Sequence, residues 1–129
     1  MSRAVETAEI INRERHIPIS LSDDLKEIDF GVLSGTPYTD AVKKRHEAMD
    51  YDWRPSGENV DDVKTRVIRV LGQIASEFND DNTLVVTHGG IIRMLHLLED
   101  GEPFGQVDNA SIHIFDLDKM LSNGSKLIQ

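Results

Sequence analysis

The sequence contains no cysteine, and this absence excludes several kinds of site at once. Without thiols there can be no disulfide, no thiolate zinc site and no cysteine nucleophile. The absence fits a reducing compartment, and we expect a cytoplasmic protein. Long apolar runs are also missing. The longest, such as Leu84-Val85-Val86, fall far short of the roughly 20 residues that span a bilayer. No basic-then-apolar leader opens the chain, so we expect neither secretion nor a membrane partner.

Positive charge is scarce: 14 Lys and Arg residues stand against 23 Asp and Glu residues, and the net charge is −9. A surface this acidic repels nucleic-acid phosphates, and no Lys/Arg-rich run offsets it, so we expect no nucleic-acid partner. Any anion that binds must be held in a small pocket of locally positive potential. The acidic excess also serves simply to keep a protein soluble, and by itself it identifies no ligand.

With 129 residues, 39% of them apolar, the chain is predicted to form a single domain over residues 1–129. No repeat and no Gly/Ser- or Pro-rich linker divides it. Apolar residues at helical spacing predict four helices. The clearest begins after a capping Asn59, with Asp61 and Asp62 in its first turn and an apolar stripe that continues to Phe78. The other three are expected over residues 2–11, with Ser2 as N-cap, and over 39–49 and 91–98.

Short apolar or alternating runs predict four strands between and after these helices. An edge strand is expected at His16–Leu21, because Pro18 interrupts it, and a buried parallel strand at Thr83–Thr87. Further strands are expected at Ser111–Leu117 and, after a turn at Asn123-Gly124, at Lys126–Ile128. Turns or irregular segments are expected at 25–35 and 79–82. This order predicts an α/β fold with three layers and a mainly parallel sheet.

His88-Gly89-Gly90 lies where the Thr83–Thr87 strand ends and the next helix begins. In open α/β sheets, ligands bind beyond the carboxyl ends of the strands, where helix N-termini present free N–H groups. The glycines allow the backbone to approach a ligand closely. The sequence therefore predicts an anion site at His88 and Gly89. A histidine here could instead cap the helix or pack against the sheet.

Two further side chains are candidates for the same site. Arg3 lies in the first turn of the first helix, where the helix dipole disfavours a cation, so a bound anion would explain its placement. The alternative is an ordinary solvated arginine. Glu27 lies in a loop, and a carboxylate beside an anion pocket can donate a proton if burial or charge raises its pKa. In a chain with 23 acidic residues, its position alone carries little weight.

Other catalytic patterns are absent. The chain has no phosphate loop ending in Gly-Lys-Ser/Thr, no His-Glu-x-x-His, no calcium loop and no Gly-x-Ser-x-Gly nucleophile elbow. The remaining histidines show no metal-ligand spacing and are interpreted as structural or surface residues: His16, His46, His96 and His113. We expect no metal and no cofactor.

Taken in order, several segments resemble the histidine phosphatase superfamily, also called phosphoglycerate-mutase-like. The family motifs are Ser-x-Arg-Ala-x-x-Thr-Ala, Leu-x-Glu-x-x-Phe-Gly-x-x-x-Gly, Pro-x-Gly-Glu-Ser, a second histidine motif, and a segment before a late strand. The similar segments here are Ser2 to Ile11, Leu25 to Gly31 with Gly35, Pro55 to Asn59 with Arg66-Val67 after it, Val85 to Arg93, and Asn109 to Ser111.

This resemblance implies a phosphomonoester hydrolase that acts through a phosphohistidine. It implies that Arg3, His88 and Gly89 bind the phosphoryl oxygens, that Glu27 protonates the leaving oxygen, and that no metal takes part. These roles suit phosphoryl transfer, which depends mainly on positioning the phosphoryl group and on stabilising the charge of its equatorial oxygens with cations. The expected ligand is phosphate or a small phosphorylated substrate. The short connection from Glu27 to Pro55 favours the compact phosphatases over the mutases.

One family motif is missing. In the family, the nucleophilic histidine belongs to an N-terminal Arg-His-Gly, and no Arg-His-Gly occurs in this sequence. The resemblance therefore implies a domain that is incomplete at its N-terminus, with interior strands absent, and inactive alone. We expect rearranged packing, a homodimer or a complementing N-terminal segment to cover the unpaired surface. A non-catalytic relative that binds phosphate or a partner remains the alternative.

Overall fold

The structure, a computed structural model, describes residues 2–78 and 81–128. Over this part of the chain the regular elements are five α-helices and two short 3₁₀ turns, the latter at Asp23–Leu25 and Gly31–Leu33. The helices are α1 (Ser2–Asn12), α2 (Asp40–Glu47), α3 (Val60–Glu77), α4 (Gly89–Asp100) and α5 (Leu117–Ile128). The four predicted helices are confirmed as α1 to α4, with small differences at their ends. The turn predicted at 79–82 falls partly outside the described residues.

Helix α3 forms where its N-terminal signals predicted it. The Asn59 side chain accepts a hydrogen bond from the Asp62 amide at 2.8 Å, and the Asp62 carboxylate accepts one from the Asn59 amide at 3.0 Å. This capping box satisfies two amides that would otherwise be unpaired at the helix start. From there the apolar stripe turns inward, with Val63 and Val67 fully buried.

The core lies between α3, α4 and α5. The face of α4 that contacts α3 and α5 contains Ile91, Met94 and Leu98, none of which retains solvent exposure. Burial of each such side chain contributes roughly 1.5–3 kcal/mol relative to leaving it in water. Because α4 begins at Gly89, this packing fixes the position of the His88 segment.

Helix α5 corrects one prediction. Residues 126–128 were predicted as a strand after a turn at Asn123-Gly124, but α5 continues through both positions to Ile128. Asn123 Nδ2 donates to the carbonyl oxygens of Leu98 and Glu99 at 2.9 and 3.0 Å, which satisfies acceptors at the C-terminal end of α4. Gly124 is buried and lies close to the Ile68 and Leu98 side chains, so it allows close helix packing here. Tertiary contacts therefore override the turn propensity of this dipeptide.

The predicted parallel sheet is not confirmed. Among the described residues the only strand-type pairing is an isolated bridge between Asp52 and Asn59. The segments predicted as strands at 16–21, 83–87 and 111–117 form no strand; only Leu117 is helical, at the start of α5. No backbone hydrogen bond among these residues joins two of the segments. A strand requires a neighbouring backbone to pair with, and an apolar run alone does not supply one.

The three unpaired segments leave apolar side chains in water. Ile112 and Ile114 are 86% and 91% exposed, while the alternate residues His113 and Phe115 are partly buried. The predicted alternation of exposed and partly buried side chains at 111–117 is therefore present, although this segment belongs to no sheet. Exposed side chains on the other two segments include Ile17, Ile19, Leu21 and Leu84.

A cluster of stacked rings joins α2 to the loop before α3. His46 is 3% exposed, its ring stacks on Tyr51 at 4.8 Å between centroids, and its Nε2 accepts a hydrogen bond from Trp53 Nε1 at 3.1 Å. Burial, together with the nearby charge of Arg93, lowers the pKa of His46 to about 4. The imidazole is consequently neutral at pH 7, as an acceptor must be.

This cluster predicts that the protein loses stability as the pH falls from about 6.5 to about 4. In that window the unfolded His46 binds a proton and the folded one does not, so lowering the pH favours the unfolded chain. The pKa difference corresponds to a decrease of about 3 kcal/mol in the free energy of unfolding. Urea unfolding between pH 4 and 7.5 measures this decrease. The variant His46→Gln retains an acceptor for Trp53, and its free energy of unfolding should change clearly less with pH. An equal pH dependence in the variant and the unsubstituted chain would contradict the prediction.

None of the helices in residues 2–78 and 81–128 is both long and apolar enough to cross a membrane.

Candidate functional site

A buried arginine fixes the loop that contains Glu27. Arg66 lies in the apolar stripe of α3 and is 6% exposed. Its Nη1 donates to the carbonyl oxygens of Asp24 and Lys26 at 2.6 and 2.9 Å. Its Nη2 donates to the Glu27 carbonyl oxygen at 3.2 Å. One guanidinium therefore binds three carbonyl oxygens within residues 24–27 and holds this loop on α3.

Glu58 supplies the counter-charge for Arg66. The two side chains form a bidentate pair, with Nε and Nη2 of Arg66 2.8 and 3.0 Å from the Glu58 carboxylate oxygens. The same carboxylate accepts a hydrogen bond from the Asp29 amide at 3.0 Å. Burial alone would raise the pKa of Glu58, but the hydrogen bonds from Arg66 and Asp29 outweigh it and the pKa is lowered. The pair is therefore ionised and holds the loop on both sides of Glu27.

The Glu27 side chain lies against the start of α4. Its Oε1 accepts a hydrogen bond from the Ile28 amide at 2.9 Å, and its Oε2 lies 3.5 Å from the Gly90 amide. A methyl group on Gly90 would overlap Glu27 Oε1 and the Ile28 side chain. The approach of the carboxylate to the helix start therefore requires glycine at position 90.

His88 immediately precedes α4 and is 9% exposed. His88 occupies the N-cap position of α4, but its side chain makes no hydrogen bond to the helix, so side-chain capping does not explain this residue. Among the described residues its buried Nε2 atom has no hydrogen-bond partner. Burial lowers the pKa of His88, the Glu27 carboxylate opposes this shift, and the Arg3 charge adds to it. An orphaned buried nitrogen is costly, and such groups commonly mark a site that a ligand completes.

Gly89 and Arg3 complete the set of predicted residues. Around Gly89 the nearest atom to an added Cβ would be Val107 Cβ at 3.8 Å, so packing does not require a glycine here. Its amide has no acceptor among the described backbone and side-chain hydrogen bonds. Arg3 lies in the first turn of α1, is exposed, and is close enough to affect the charge of His88.

The structure thus brings the Glu27 side chain against the start of α4, next to His88, and Arg3 is near enough for its charge to lower the pKa of His88. Sequence reasoning gave no role to Arg66 and Glu58, which hold Glu27 in position. A signal was available for Arg66, because a charged residue between Val63 and Val67 in the apolar stripe must be buried and therefore paired. Glu58 belongs to the Pro55–Asn59 segment that resembles a family motif, but its partners lie 8 and 29 residues away, so the motif did not indicate what Glu58 binds.

Comparison with known proteins identifies the same family that the sequence motifs resemble. A family model described as histidine phosphatase superfamily (branch 1) matches residues 1–122. No solved structure matches the chain significantly.

Curated relatives match over most of the chain. The sequence is 31% identical to a Bacillus subtilis protein named uncharacterized phosphatase PhoE, over 80% of this chain and 52% of that one. It is 30% identical to an Arabidopsis thaliana metal-independent phosphoserine phosphatase, over 91% of this chain and 53% of the relative. It is 32% identical to phosphoglycerate mutase-like protein 4 of the same plant, over 91% and 56%. The chain spans about half the length of these relatives.

Proposed function

Because the chain belongs to the histidine phosphatase superfamily, we propose that its site binds the phosphoryl group of a small phosphomonoester. In this proposal His88, Arg3 and the Gly89 amide bind the phosphoryl oxygens, and Glu27 donates a proton to the leaving oxygen. The observation that carries the proposal is the buried Nε2 atom of His88 at the N-terminus of α4, which has no hydrogen-bond partner within residues 2–78 and 81–128. A phosphoryl oxygen is the acceptor that a protonated imidazole, an arginine and a helix N-terminus bind in common.

The charge balance of the site supports an anionic ligand. Without one, burial favours the neutral form of His88. A phosphoryl dianion next to the imidazole would favour the charged form, so binding would raise the pKa of His88 and take up a proton. A protonated His88 and Arg3 would then offset the developing charge on the equatorial oxygens. Glu27 lies close enough to His88 to influence its pKa and is therefore near the reacting group.

The covalent step of the family requires a histidine in an Arg-His-Gly motif, which this sequence does not contain. We propose that the chain alone binds phosphate without turning over a phosphomonoester. Hydrolysis would require a nucleophile from a complementing N-terminal segment or from a second copy. The exposed apolar residues of the unpaired segments, such as Ile112 and Ile114, support a surface that such a partner covers.

The test is a titration of the purified chain with inorganic phosphate, followed by ³¹P NMR and by calorimetry. We expect saturable binding that His88→Ala abolishes and that Arg3→Ala weakens by about tenfold or more, as for a lost charge-assisted hydrogen bond. Arg13→Ala is the matched control, because Arg13 is an exposed arginine just after the same helix. Equal affinity of the unsubstituted chain and His88→Ala would contradict the proposal.

A second candidate function is a non-catalytic interaction module, favoured by the same exposed apolar side chains. Such a module would present the unpaired segments to a partner, and it would have no need for an anion at His88. The phosphate titration separates the two candidates, because only the first predicts His88-dependent binding.

A further inference from the structure

Two histidines outside the candidate phosphoryl site join α4 to the segment before α5. His96 lies in α4, about 12 Å along the helix axis from His88. His113 lies 17 residues after His96, in the segment at 111–117 that was predicted as a strand. Nε2 of His96 and Nδ1 of His113 are 2.9 Å apart, and both rings are partly buried. The fold therefore directs two ring nitrogens at one another, although their spacing in the sequence showed no metal-ligand pattern.

The hydrogen bonds on the other side of His113 determine which of its nitrogens carries the proton. Ser111 Oγ lies 2.6 Å from the Asp108 carbonyl oxygen and 2.9 Å from His113 Nε2. Because a carbonyl oxygen can only accept, the single hydroxyl proton of Ser111 is donated to Asp108. The hydroxyl oxygen therefore accepts from His113 Nε2, and the lone pair of the neutral ring is on Nδ1. That lone pair points at His96.

This arrangement is the one that metal-binding histidines adopt. Such a histidine donates its second ring N–H to an oxygen acceptor, which fixes the tautomer and the orientation of the ring. At His113 the acceptor is Ser111 Oγ, and Nδ1 is left to bind an ion. A metal ion would take the place of the proton between the two rings. His96 would then carry its proton on Nδ1, so both rings would stay neutral, as ligands must be.

Two phenylalanine rings hold the histidine pair in place. Phe104 stacks on His96, with centroids 3.8 Å apart and the planes 7° from parallel. Phe115 packs its edge against the same imidazole at 4.7 Å. These contacts confine the His96 ring to one plane but allow it to turn within that plane. Rings that are already ordered lose little entropy when they bind an ion.

The separation of the two nitrogens fits two ligands of one ion. Metal–imidazole bonds are about 2.0–2.1 Å long, so two such ligands at right angles have nitrogens about 2.9 Å apart. At the tetrahedral angle of zinc sites the separation is about 3.3 Å. The observed 2.9 Å therefore matches the right-angled ligands of Cu²⁺ and Ni²⁺ sites. Each ring must turn slightly toward one side, because the ion lies off the line that joins the nitrogens.

The charges around the pair favour a cation. Glu99 and Asp100 follow His96 by three and four residues on α4, so they lie on the same side of the helix. Burial and the charge of His113 lower the pKa of His96, and these two carboxylates oppose that shift. Lys119 lies 3.8 Å from one Asp100 oxygen in an exposed pair, which offsets only part of the negative charge.

We propose that His96 and His113 bind one divalent transition-metal ion of the class that prefers imidazole ligands, such as Cu²⁺, Ni²⁺ or Zn²⁺. In residues 2–78 and 81–128 no three His, Asp or Glu side chains form a metal-binding group, so water would complete the coordination. The ion would tie the segment at 111–117 to α4 more firmly than the present hydrogen bond does. This site is separate from the phosphoryl site and takes no part in phosphoryl transfer.

The experiment is a calorimetric titration of the chain, prepared without a polyhistidine tag, with Cu²⁺, Ni²⁺ and Zn²⁺ salts at pH 7.5. We expect one ion per chain, with Cu²⁺ bound most tightly, as the general order of affinities requires. His96→Gln and His113→Gln should each weaken Cu²⁺ binding at least tenfold. His16→Gln is the matched control, because His16 is exposed and far from the pair in sequence, and it should bind as the unsubstituted chain does.

Two further measurements separate ligation from a structural role of the histidines. Electron paramagnetic resonance of the Cu²⁺-loaded chain should show two imidazole ligands, and only one in His113→Gln. Ser111→Ala keeps both ligands and changes an exposed side chain, so it should fold normally. Because it removes the acceptor that fixes the His113 tautomer, we expect Cu²⁺ to bind about tenfold more weakly to it.

Three outcomes would overturn the proposal. The first is the absence of saturable binding of any of the three ions by the unsubstituted chain. The second is equal Cu²⁺ affinity in the unsubstituted chain and His113→Gln, which would place the ion elsewhere. The third is a spectrum of the unsubstituted chain with fewer than two imidazole ligands, and this result decides the question even if the histidine variants fail to fold.

Discussion

Replacing Arg66 with leucine is expected to cost about 3–5 kcal/mol of folding free energy, the penalty for leaving a buried charge without its partner. The substitution leaves the Glu58 carboxylate without its ion-pair partner, although the Glu58 side chain is only 19% exposed. It also leaves the carbonyl oxygens of Asp24, Lys26 and Glu27 without their donor. Since small domains are stable by only about 5–15 kcal/mol, this loss is a large fraction of the total. Urea unfolding at pH 7 measures it.

Arg69→Leu is the matched control for this substitution. Arg69 lies three residues further along α3 and forms an ion pair with Asp24, but its side chain is 58% exposed. Exposed pairs contribute about 0–1 kcal/mol, so this variant should differ little from the unsubstituted chain. If Arg66→Leu cost no more than Arg69→Leu, Arg66 would not be the anchor of the Glu27 loop.

The helices were predictable because their signals are local. The Asn59 cap, the acidic first turn and the apolar stripe ending near Phe78 all lie within one stretch of α3. Helical hydrogen bonds also close within that stretch, so sequence and structure agree there. The wrong prediction at residues 126–128 has a tertiary cause, since Asn123 and Gly124 contact α4 and α3 instead of forming a turn.

The sheet was not predictable in the same way. Residues 83–87 and 111–117 have strand-like composition, and the second segment alternates in exposure, yet within the described part of the chain neither pairs with another strand. Composition reports that a segment is suited to pairing, whereas pairing itself depends on residues far away in the sequence.

The candidate site was likewise predictable in part, from local motifs but not from long-range contacts. His88 and Glu27 were identified from motifs, but the contact of Glu27 with Gly90 spans 63 residues and depends on the Arg66 anchor.

The second large expected effect is the loss of phosphomonoester hydrolysis that follows from the missing Arg-His-Gly nucleophile. The family reaction divides hydrolysis into two steps through a covalent intermediate, and the attacking group must be a histidine in line with the phosphorus. Of the five histidines in this chain, His88 is assigned to bind oxygen, and His46 is buried with its Nε2 accepting from Trp53. His16 is exposed in the segment after α1 and is followed by Ile17, so it does not belong to an Arg-His-Gly motif. His96 and His113 are hydrogen-bonded to each other, at 2.9 Å. Loss of an enzyme nucleophile can cost on the order of 10⁶-fold in rate, so we expect no turnover above background.

The most direct test of this account is phosphate release from p-nitrophenyl phosphate by the purified chain, with Arg3→Ala and His88→Ala as controls. The central claim is a site that binds a phosphoryl group but has no nucleophile of its own. It predicts that all three proteins release phosphate at the background rate while the unsubstituted chain still binds inorganic phosphate. Hydrolysis by the unsubstituted chain that either substitution abolishes would show a complete active site within these 129 residues and would contradict the claim.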